Sequence, residues 1–146
     1  IPESIKIMGT IRTFDQEVRD MIQTELKKIV PEFCALHGAK AEITIIRHID
    51  PTINDAAEAE FCADIMESVL GQGHVDRKVN PCMGGEDFGT MILDRPGAYI
   101  WVGQGTDNPK SPHNYGLHSQ YYDFNDEILP ITIEYCAELV ETKLKI

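Results

Sequence analysis

The stretch ESIKIMGTIRTF, residues 3–14, is the part of this sequence that most clearly indicates a fold class. Its apolar residues alternate with polar ones, as they do in a half-buried β-strand. The stretch KAEITIIRH, residues 40–48, is rich in β-branched residues and predicts a second strand. Between them, apolar residues recur every three or four positions from Val18 to Phe33, which predicts an amphipathic helix capped by Thr13 or Asp15. Strand, helix and strand together predict a βαβ unit.

The rest of the chain continues this mixed pattern. The turn-rich stretch DPTIND, residues 50–55, is the clearest domain boundary. A helix is predicted from residue 55 to 70 with Asn54 as its N-cap, and a last helix begins after Asn125 or Asp126. Further short strands are expected at residues 74–80 and 98–103. The sequence therefore predicts an α/β fold.

Composition limits the partners and the compartment. The formal net charge is −11, whereas nucleic acids and anionic membranes bind clustered Lys and Arg, so we expect neither as a partner. No apolar run approaches the roughly 18 residues of a membrane span. The four cysteines form no CxxC pair, and three of them, Cys34, Cys62 and Cys136, fall within helical patterns as small buried hydrophobes. Scattered thiols are typical of a reducing compartment, so a cytoplasmic location is expected.

His118 is the first candidate for chemistry. It lies between a loop rich in Gly, Asn and Pro and the start of a helix, where a scaffold often presents a reactive side chain. Asp123 and Asp126 are close enough in sequence to orient its imidazole, as a carboxylate commonly does for a metal-bound histidine. A lone surface histidine is more often inert, so both interpretations stay open. His113 and His48 are weaker candidates of the same kind.

A second candidate lies in the stretch PCMGGEDF, residues 81–88. Gly84 and Gly85 allow the backbone to come close to a ligand. The carboxylates that follow, Glu86 and Asp87, could ligate a metal, act as a general base or cap the next helix. The residue types do not choose among these roles.

Two arginines are further candidate binding residues, and several common catalytic motifs are absent from the sequence. Arg12 and Arg47 could clamp a carboxylate bidentately, or only cover an apolar face with their stems. The sequence contains no GxSxG, Walker, HExxH or GxGxxG motif. Serine hydrolysis and nucleotide chemistry therefore have no support.

Four motifs in order resemble a known enzyme family. They are GTIRTFD at residues 9–15, PTIND at 51–55, MGGEDF at 83–88 and LHSQYYDFND at 117–126. Through these four motifs, the chain closely resembles the amidohydrolase branch of the dinuclear zinc aminoacylase and carboxypeptidase G family. This branch includes hippurate hydrolases and indole-acetyl-amino-acid hydrolases. The resemblance covers essentially all 146 residues.

The resemblance implies a particular domain organisation. Residues 1–50 resemble the second half of a lid domain, a βαβ unit that is half of a ferredoxin-like sandwich. Residues 54–146 resemble the last segment of a metallopeptidase-type α/β catalytic domain. The chain is thus expected to be a C-terminal fragment, and the intact protein is expected to form a homodimer through its lid.

The resemblance also implies roles for individual residues. His118 matches the late histidine that ligates one of two metal ions. The residues expected to bind substrate are Arg12, Asn54, Gly84, Gly85 and Glu86, although Arg12 and Asn54 have no firm role. No catalytic residue is expected in this chain, because the other ligands and the catalytic glutamate would lie upstream of Ile1.

The implied reaction is metal-assisted hydrolysis of the amide bond in N-acyl amino acids or small peptides. Two divalent ions, zinc or manganese, would lower the pKa of a bridging water and polarise the scissile carbonyl. With a single inferred ligand, the isolated chain is expected to be inactive and to bind little or no metal. The alternative is a self-contained α/β interaction or ligand-binding module without catalysis.

Overall fold

The computed structural model describes residues 2–145, and within them the chain contains four α-helices and no β-strand. The helices are α1 (Gln16–Leu36), α2 (Ala56–Leu70), α3 (Phe88–Met91) and α4 (Ile128–Leu144), with a 3₁₀ turn at Pro112–Asn114. The chain divides into two compact units. Unit 1 comprises Ile1–Ile53 and Asn80–Arg95, and unit 2 comprises Asn54–Val79 and Pro96–Ile146.

The predicted α/β fold is wrong for this structure. All four predicted strands, at residues 3–14, 40–48, 74–80 and 98–103, are irregular. A strand needs a neighbour that pairs its backbone N–H and C=O groups, and alternation of apolar residues does not supply one. Ile5 and Ile7 are 78% and 86% exposed, so the apolar face predicted for the first strand covers nothing. The βαβ unit of residues 1–50, the α/β segment of 54–146 and the α/β interaction module all lose their structural basis.

Helix α1 forms where its periodicity predicts. The Asp15 carboxylate accepts hydrogen bonds from the backbone N–H groups of Glu17 at 2.7 Å and Val18 at 3.0 Å, so Asp15 is the N-cap. The helix continues through Pro31, although that residue has no N–H to donate. It ends before Gly38, whose φ of +70° is the left-handed conformation that glycine adopts without strain.

Two arginines, Arg19 on α1 and Arg47 after it, connect residues 47–50 to the helix through hydrogen bonds and ion pairs. Arg19 is buried and donates to Ile49 O at 2.8 Å and to the Asp50 carboxylate. Arg47, which is more exposed, contacts the carboxylates of Asp20 at 3.1 Å and Asp50 at 3.5 Å. The hydrogen bond from Arg19 holds the pKa of Asp50 below its usual value. Ion pairs rather than a sheet therefore organise this part of unit 1.

Gly89, at the start of α3, packs closely against backbone. A Cβ at this position would lie 2.9 Å from Asp50 O and 2.8 Å from Thr52 Oγ1. Real Cβ atoms do not approach a carbonyl oxygen that closely, and backbone cannot rotate out of the way as a side chain can. Only glycine therefore fits where α3 meets residues 50–52.

The core of unit 2 forms where α2 packs against α4. Its buried side chains are Cys62, Ile65, Met66 and Tyr135, and Ala98, Ile100 and Val102 pack against them from an extended segment. Burial, together with the neighbouring Cys62, raises the pKa of Tyr135. Lys143 on α4 contacts Glu58 on α2 at 2.7 Å. Two helices and one irregular segment therefore form the core of unit 2.

Several local features of unit 2 differ from the sequence-based expectations. The N-cap of α2 is Asp55, whose carboxylate accepts from two backbone N–H groups, and not Asn54. Cys62 is buried as predicted, but Cys136 is exposed on α4. Residues 74–79 are held against α2 by Arg77 through its carboxylate contacts instead of by strand pairing. No helix among residues 2–145 is long and apolar enough to cross a membrane.

Candidate functional site

Unit 1 brings Arg12 together with the glycine-containing loop. Arg12 Nη1 donates to Met83 O at 2.6 Å, a contact between residues 71 positions apart. A Cβ at Gly85 would lie 3.2 Å from Arg12 Nη1, so the absence of a side chain there lets the guanidinium lie against the loop. We call Arg12 with residues 83–86 the Arg12 site. Two sequence-predicted motifs therefore meet in one place.

The two candidate arginines differ in their charge partners. The Arg47 guanidinium contacts the carboxylates of Asp20 and Asp50, which neutralise it within unit 1. Arg12 is exposed, and among the described residues its guanidinium donates to a neutral carbonyl and pairs with no carboxylate. A guanidinium has five N–H donors, so one contact leaves donors for an anion. Arg12, and not Arg47, therefore keeps an uncompensated positive charge.

Glu86 and Asp87 separate into different roles. Glu86 Oε1 accepts from the backbone N–H of Phe88 at 3.1 Å, and its side chain is half-buried. Asp87 occupies the N-cap position of α3 but makes no side-chain cap hydrogen bond. Gly84 is looser, since a Cβ there would meet only Cys82 Sγ, at 3.5 Å. Glu86 thus bonds to the backbone at the start of α3, and the other roles of the two carboxylates stay predictions.

His118 belongs to unit 2 and lies in an exposed turn. The turn is closed by the backbone hydrogen bond from Ser119 to Gly116 at 2.9 Å. The rings of Tyr115 and Tyr121, on either side of the turn, have centroids 5.5 Å apart. Among residues 2–145, no side chain is hydrogen-bonded to the His118 imidazole. The turn therefore presents the histidine to solvent.

The expected orientation of His118 by Asp123 is wrong in this structure. Asp123 faces His113, whose Nδ1 lies 3.1 Å from Asp123 O and 3.7 Å from Asp123 Oδ2. The backbone carbonyl of Asp126 accepts from Leu129 at 3.1 Å, at the start of α4. Asp123 lies five positions after His118, close enough in sequence for contact, but in the structure it lies beside His113.

Gln104 is a residue that sequence reasoning missed. Its Nε2 donates to the backbone carbonyls of His113 at 3.0 Å and Asp123 at 3.1 Å. Its Oε1 accepts from Tyr122 Oη at 3.2 Å and from the backbone N–H of Asn125 at 3.3 Å. One amide side chain thus joins both ends of the loop that carries His118. A half-buried glutamine after a glycine-bounded apolar run gives no local signal of this.

Asn54 acts within unit 2 as a substitute for backbone pairing. Its side chain donates to Tyr99 O at 2.9 Å and accepts from Tyr99 N at 2.8 Å. The two bonds join the start of α2 to the extended segment that packs on the core. Asn54 therefore has a structural role in this chain, and its predicted contact with substrate stays a prediction.

Comparison with known proteins identifies the family. The profile of Peptidase family M20/M25/M40 matches residues 4–142, nearly the whole chain. The chain belongs to this peptidase family. The family resemblance expected from the four motifs is therefore confirmed.

The relatives of this M20-family chain are longer proteins. It is 28% identical over 131 residues to thermostable carboxypeptidase 1 of Saccharolobus solfataricus, covering 90% of this chain and 32% of that protein. It is 26% identical over 140 residues to N-acetylcysteine deacetylase of Bacillus subtilis, covering 95% and 34%. For IAA-amino acid hydrolase ILR1-like 4 of Arabidopsis thaliana the identity is 28% over 135 residues, covering 89% and 30%. The chain thus spans about a third of the length of these curated relatives. No solved structure gives a significant match.

Residues 2–145 of this M20-family chain contain one inferred metal ligand, His118, and no metal centre around it. Within the described residues, no three His, Cys, Asp or Glu side chains are grouped so that they could hold a metal ion. A catalytic zinc site needs about three protein ligands. His118 alone therefore cannot hold the two ions that the family resemblance implies.

Proposed function

We propose that this chain supplies the substrate-carboxylate site, and one metal ligand, of a metal-dependent amidohydrolase that cleaves N-acyl amino acids or small peptides. The Arg12 site is the observation that supports the proposal most directly. It presents an exposed cation with no carboxylate partner among residues 2–145, in a chain with a formal net charge of −11. In so acidic a protein, an arginine left without an acidic partner is a strong candidate for binding an anion from outside.

The chemistry of the guanidinium supports a carboxylate as that anion. A planar guanidinium matches the two oxygens of a carboxylate, which it can bind through two parallel hydrogen bonds. The bond to Met83 O holds one edge of the Arg12 guanidinium in place and adds no opposing charge. The names of two relatives, N-acetylcysteine deacetylase and IAA-amino acid hydrolase, also support amino acid derivatives as the substrate class.

His118 is proposed as one metal ligand, with the remaining ligands and the catalytic carboxylate contributed by residues outside this chain. Its exposure in a turn leaves the imidazole accessible for coordination. On this basis the isolated 146-residue chain is expected to show no turnover and little metal affinity. Dimerisation through residues 1–50 and a cytoplasmic location remain part of the proposal.

A pair of matched arginine variants tests the carboxylate site. We call the protein expressed from the complete gene that contains these residues the complete protein. Arg12→Leu is expected to lower kcat/KM for N-acetyl-alanine by about 10- to 100-fold, because a hydrogen bond to a charged group contributes about 1.5–3 kcal/mol. Hydrolysis of N-acetyl-alaninamide, which lacks the carboxylate, should change little. Arg47→Leu is the control, and an equal loss in both variants would contradict the assignment.

Metal analysis tests the role of His118 separately from activity. The complete protein should lose part of its bound zinc or manganese in His118→Ala and none in His48→Ala, another exposed histidine in this chain. Mass-spectrometric metal content gives the readout. Unchanged metal content in His118→Ala, or turnover of N-acetyl-alanine by the isolated chain, would refute the corresponding part of the proposal.

A further inference from the structure

An apolar groove lies directly beside the Arg12 site. It is formed by residues 12–15, Val18, Ile22 and Met83, all of them within unit 1, and its volume is about 340 Å³. Small-molecule sites in proteins usually measure about 300–1,000 Å³. The groove is therefore large enough for one apolar group.

The apolar lining of the groove is only partly covered. Val18 and Ile22, four positions apart on α1, point from the same face of the helix. Phe14 and Met83 are about half exposed, as is Val18 at 44%. Half-exposed apolar side chains around a concavity gain by burial when an apolar group enters.

Met83 connects the groove to the cation. Its backbone carbonyl accepts from Arg12 Nη1, while the residue also lines the groove. A carboxylate bound to Arg12 therefore has the groove next to its own Cα substituent. Among the residues that line the groove, the other charged one is Asp15, whose carboxylate accepts hydrogen bonds from the N–H groups of Glu17 and Val18. A negative charge at this place disfavours a second acidic group on the ligand.

We propose that this groove receives the side chain of the carboxylate-bearing residue of the substrate and selects large apolar amino acids. Leucine, methionine and phenylalanine derivatives are then preferred over glycine derivatives, and glutamate derivatives are rejected. The inference rests on the proposed function, since it requires Arg12 to hold the substrate carboxylate. The acyl group points away from the groove.

Binding to the metal-free complete protein tests the inference, because no hydrolysis then occurs. Titration calorimetry should show N-acetyl-leucine binding about tenfold more tightly than N-acetyl-glycine or N-acetyl-glutamate, as expected for partial burial of one apolar side chain. Val18→Trp fills the groove and should abolish the preference for N-acetyl-leucine over N-acetyl-glycine. Ile29→Trp is the matched control, since Ile29 is 54% exposed on the same helix and does not line the groove. Circular dichroism confirms that both variants keep their helices.

The contrary outcomes are distinct. Equal binding of N-acetyl-leucine and N-acetyl-glycine, both weakened by Arg12→Leu, would overturn the groove assignment and leave the carboxylate site standing. If Val18→Trp weakens N-hexanoyl-glycine and not N-acetyl-leucine, the groove holds the acyl chain and the inference is wrong. If Arg12→Leu leaves the binding of N-acetyl-leucine, N-acetyl-glycine and N-hexanoyl-glycine unchanged, both the proposed function and the inference are wrong.

Discussion

Replacing Arg19 by methionine tests whether a buried ion pair holds unit 1 together. Arg19 donates to Ile49 O at 2.8 Å and to the Asp50 carboxylate, with only 7% of its side chain exposed. Methionine keeps most of the apolar stem but removes both hydrogen bonds. Asp50 then keeps only Arg47, whose contact is 3.5 Å long. The variant should therefore detach residues 47–50 from α1.

The loss of stability expected for Arg19→Met is the difference between opposing effects. Each hydrogen bond involving a charged group contributes about 1.5–3 kcal/mol, and both are lost. Arg19 Nε is buried without a partner in the described structure, so its removal recovers about 1–3 kcal/mol. Asp50 remains partly solvated, which limits the cost of leaving it without Arg19. We expect a net loss of about 2–3 kcal/mol.

Native-state amide hydrogen exchange measures this loss within unit 1. The amides of α1 should exchange with an opening free energy lower by about 2–3 kcal/mol, while those of α2 serve as an internal reference. Arg47→Met is the matched control, because Arg47 contacts the same Asp50 but its side chain is 45% exposed. An exposed pair contributes less than about 1 kcal/mol. Equal effects of the two variants, or no effect of Arg19→Met, would refute the reasoning.

Three further predictions concern other contacts. The pKa of Asp50 is lowered in the folded chain. Its stabilising effect is therefore present above the unfolded pKa of about 3.9 and is lost as pH falls through the folded value. In an acid titration, the difference in stability between wild type and Asp50→Asn should shrink below about pH 4, and a constant difference would contradict this. Gly89→Ala should lower the stability measured by thermal unfolding by about 1–3 kcal/mol, because the new Cβ would meet backbone atoms. The control Gly84→Ala should lower it by less than about 0.5 kcal/mol. Similar melting temperatures for the two variants would show that the backbone around Gly89 can adjust to a Cβ. Gln104→Leu should cost about 2 kcal/mol and speed amide exchange in residues 113–125; unchanged exchange there, as expected for the exposed control Gln120→Leu, would exclude the anchoring role.

The helices were predictable because their signals are local. The three- and four-residue spacing from Val18 onward and the cap at Asp15 act within one or two turns, and the structure follows both of them. The predicted strands failed for the opposite reason. Alternation in residues 3–14 describes which face could be buried, but pairing depends on a partner that no local pattern specifies.

Contacts between distant residues explain the outcome for the candidate site. Arg12 and the glycine loop were singled out separately, and only the fold brings Arg12 Nη1 to Met83 O. Asp123 was expected to orient His118, yet the turn places it against His113. Gln104 gave no signal, since its four partners lie 9 to 21 positions along the chain.

The sequence by itself determined the acidic character of this protein, the course of its long helices and, through four ordered motifs, its membership of the M20 family. These properties depend on composition, on neighbours within a turn, or on the order of residues along the chain. Only the tertiary structure decided that the predicted strands form no sheet within residues 2–145, that residues 80–95 join unit 1 and that Arg12 has no acidic partner in the same part of the chain. Each of these depends on which distant groups compete for the same hydrogen bond or ion pair, and that competition is settled only when the chain is folded.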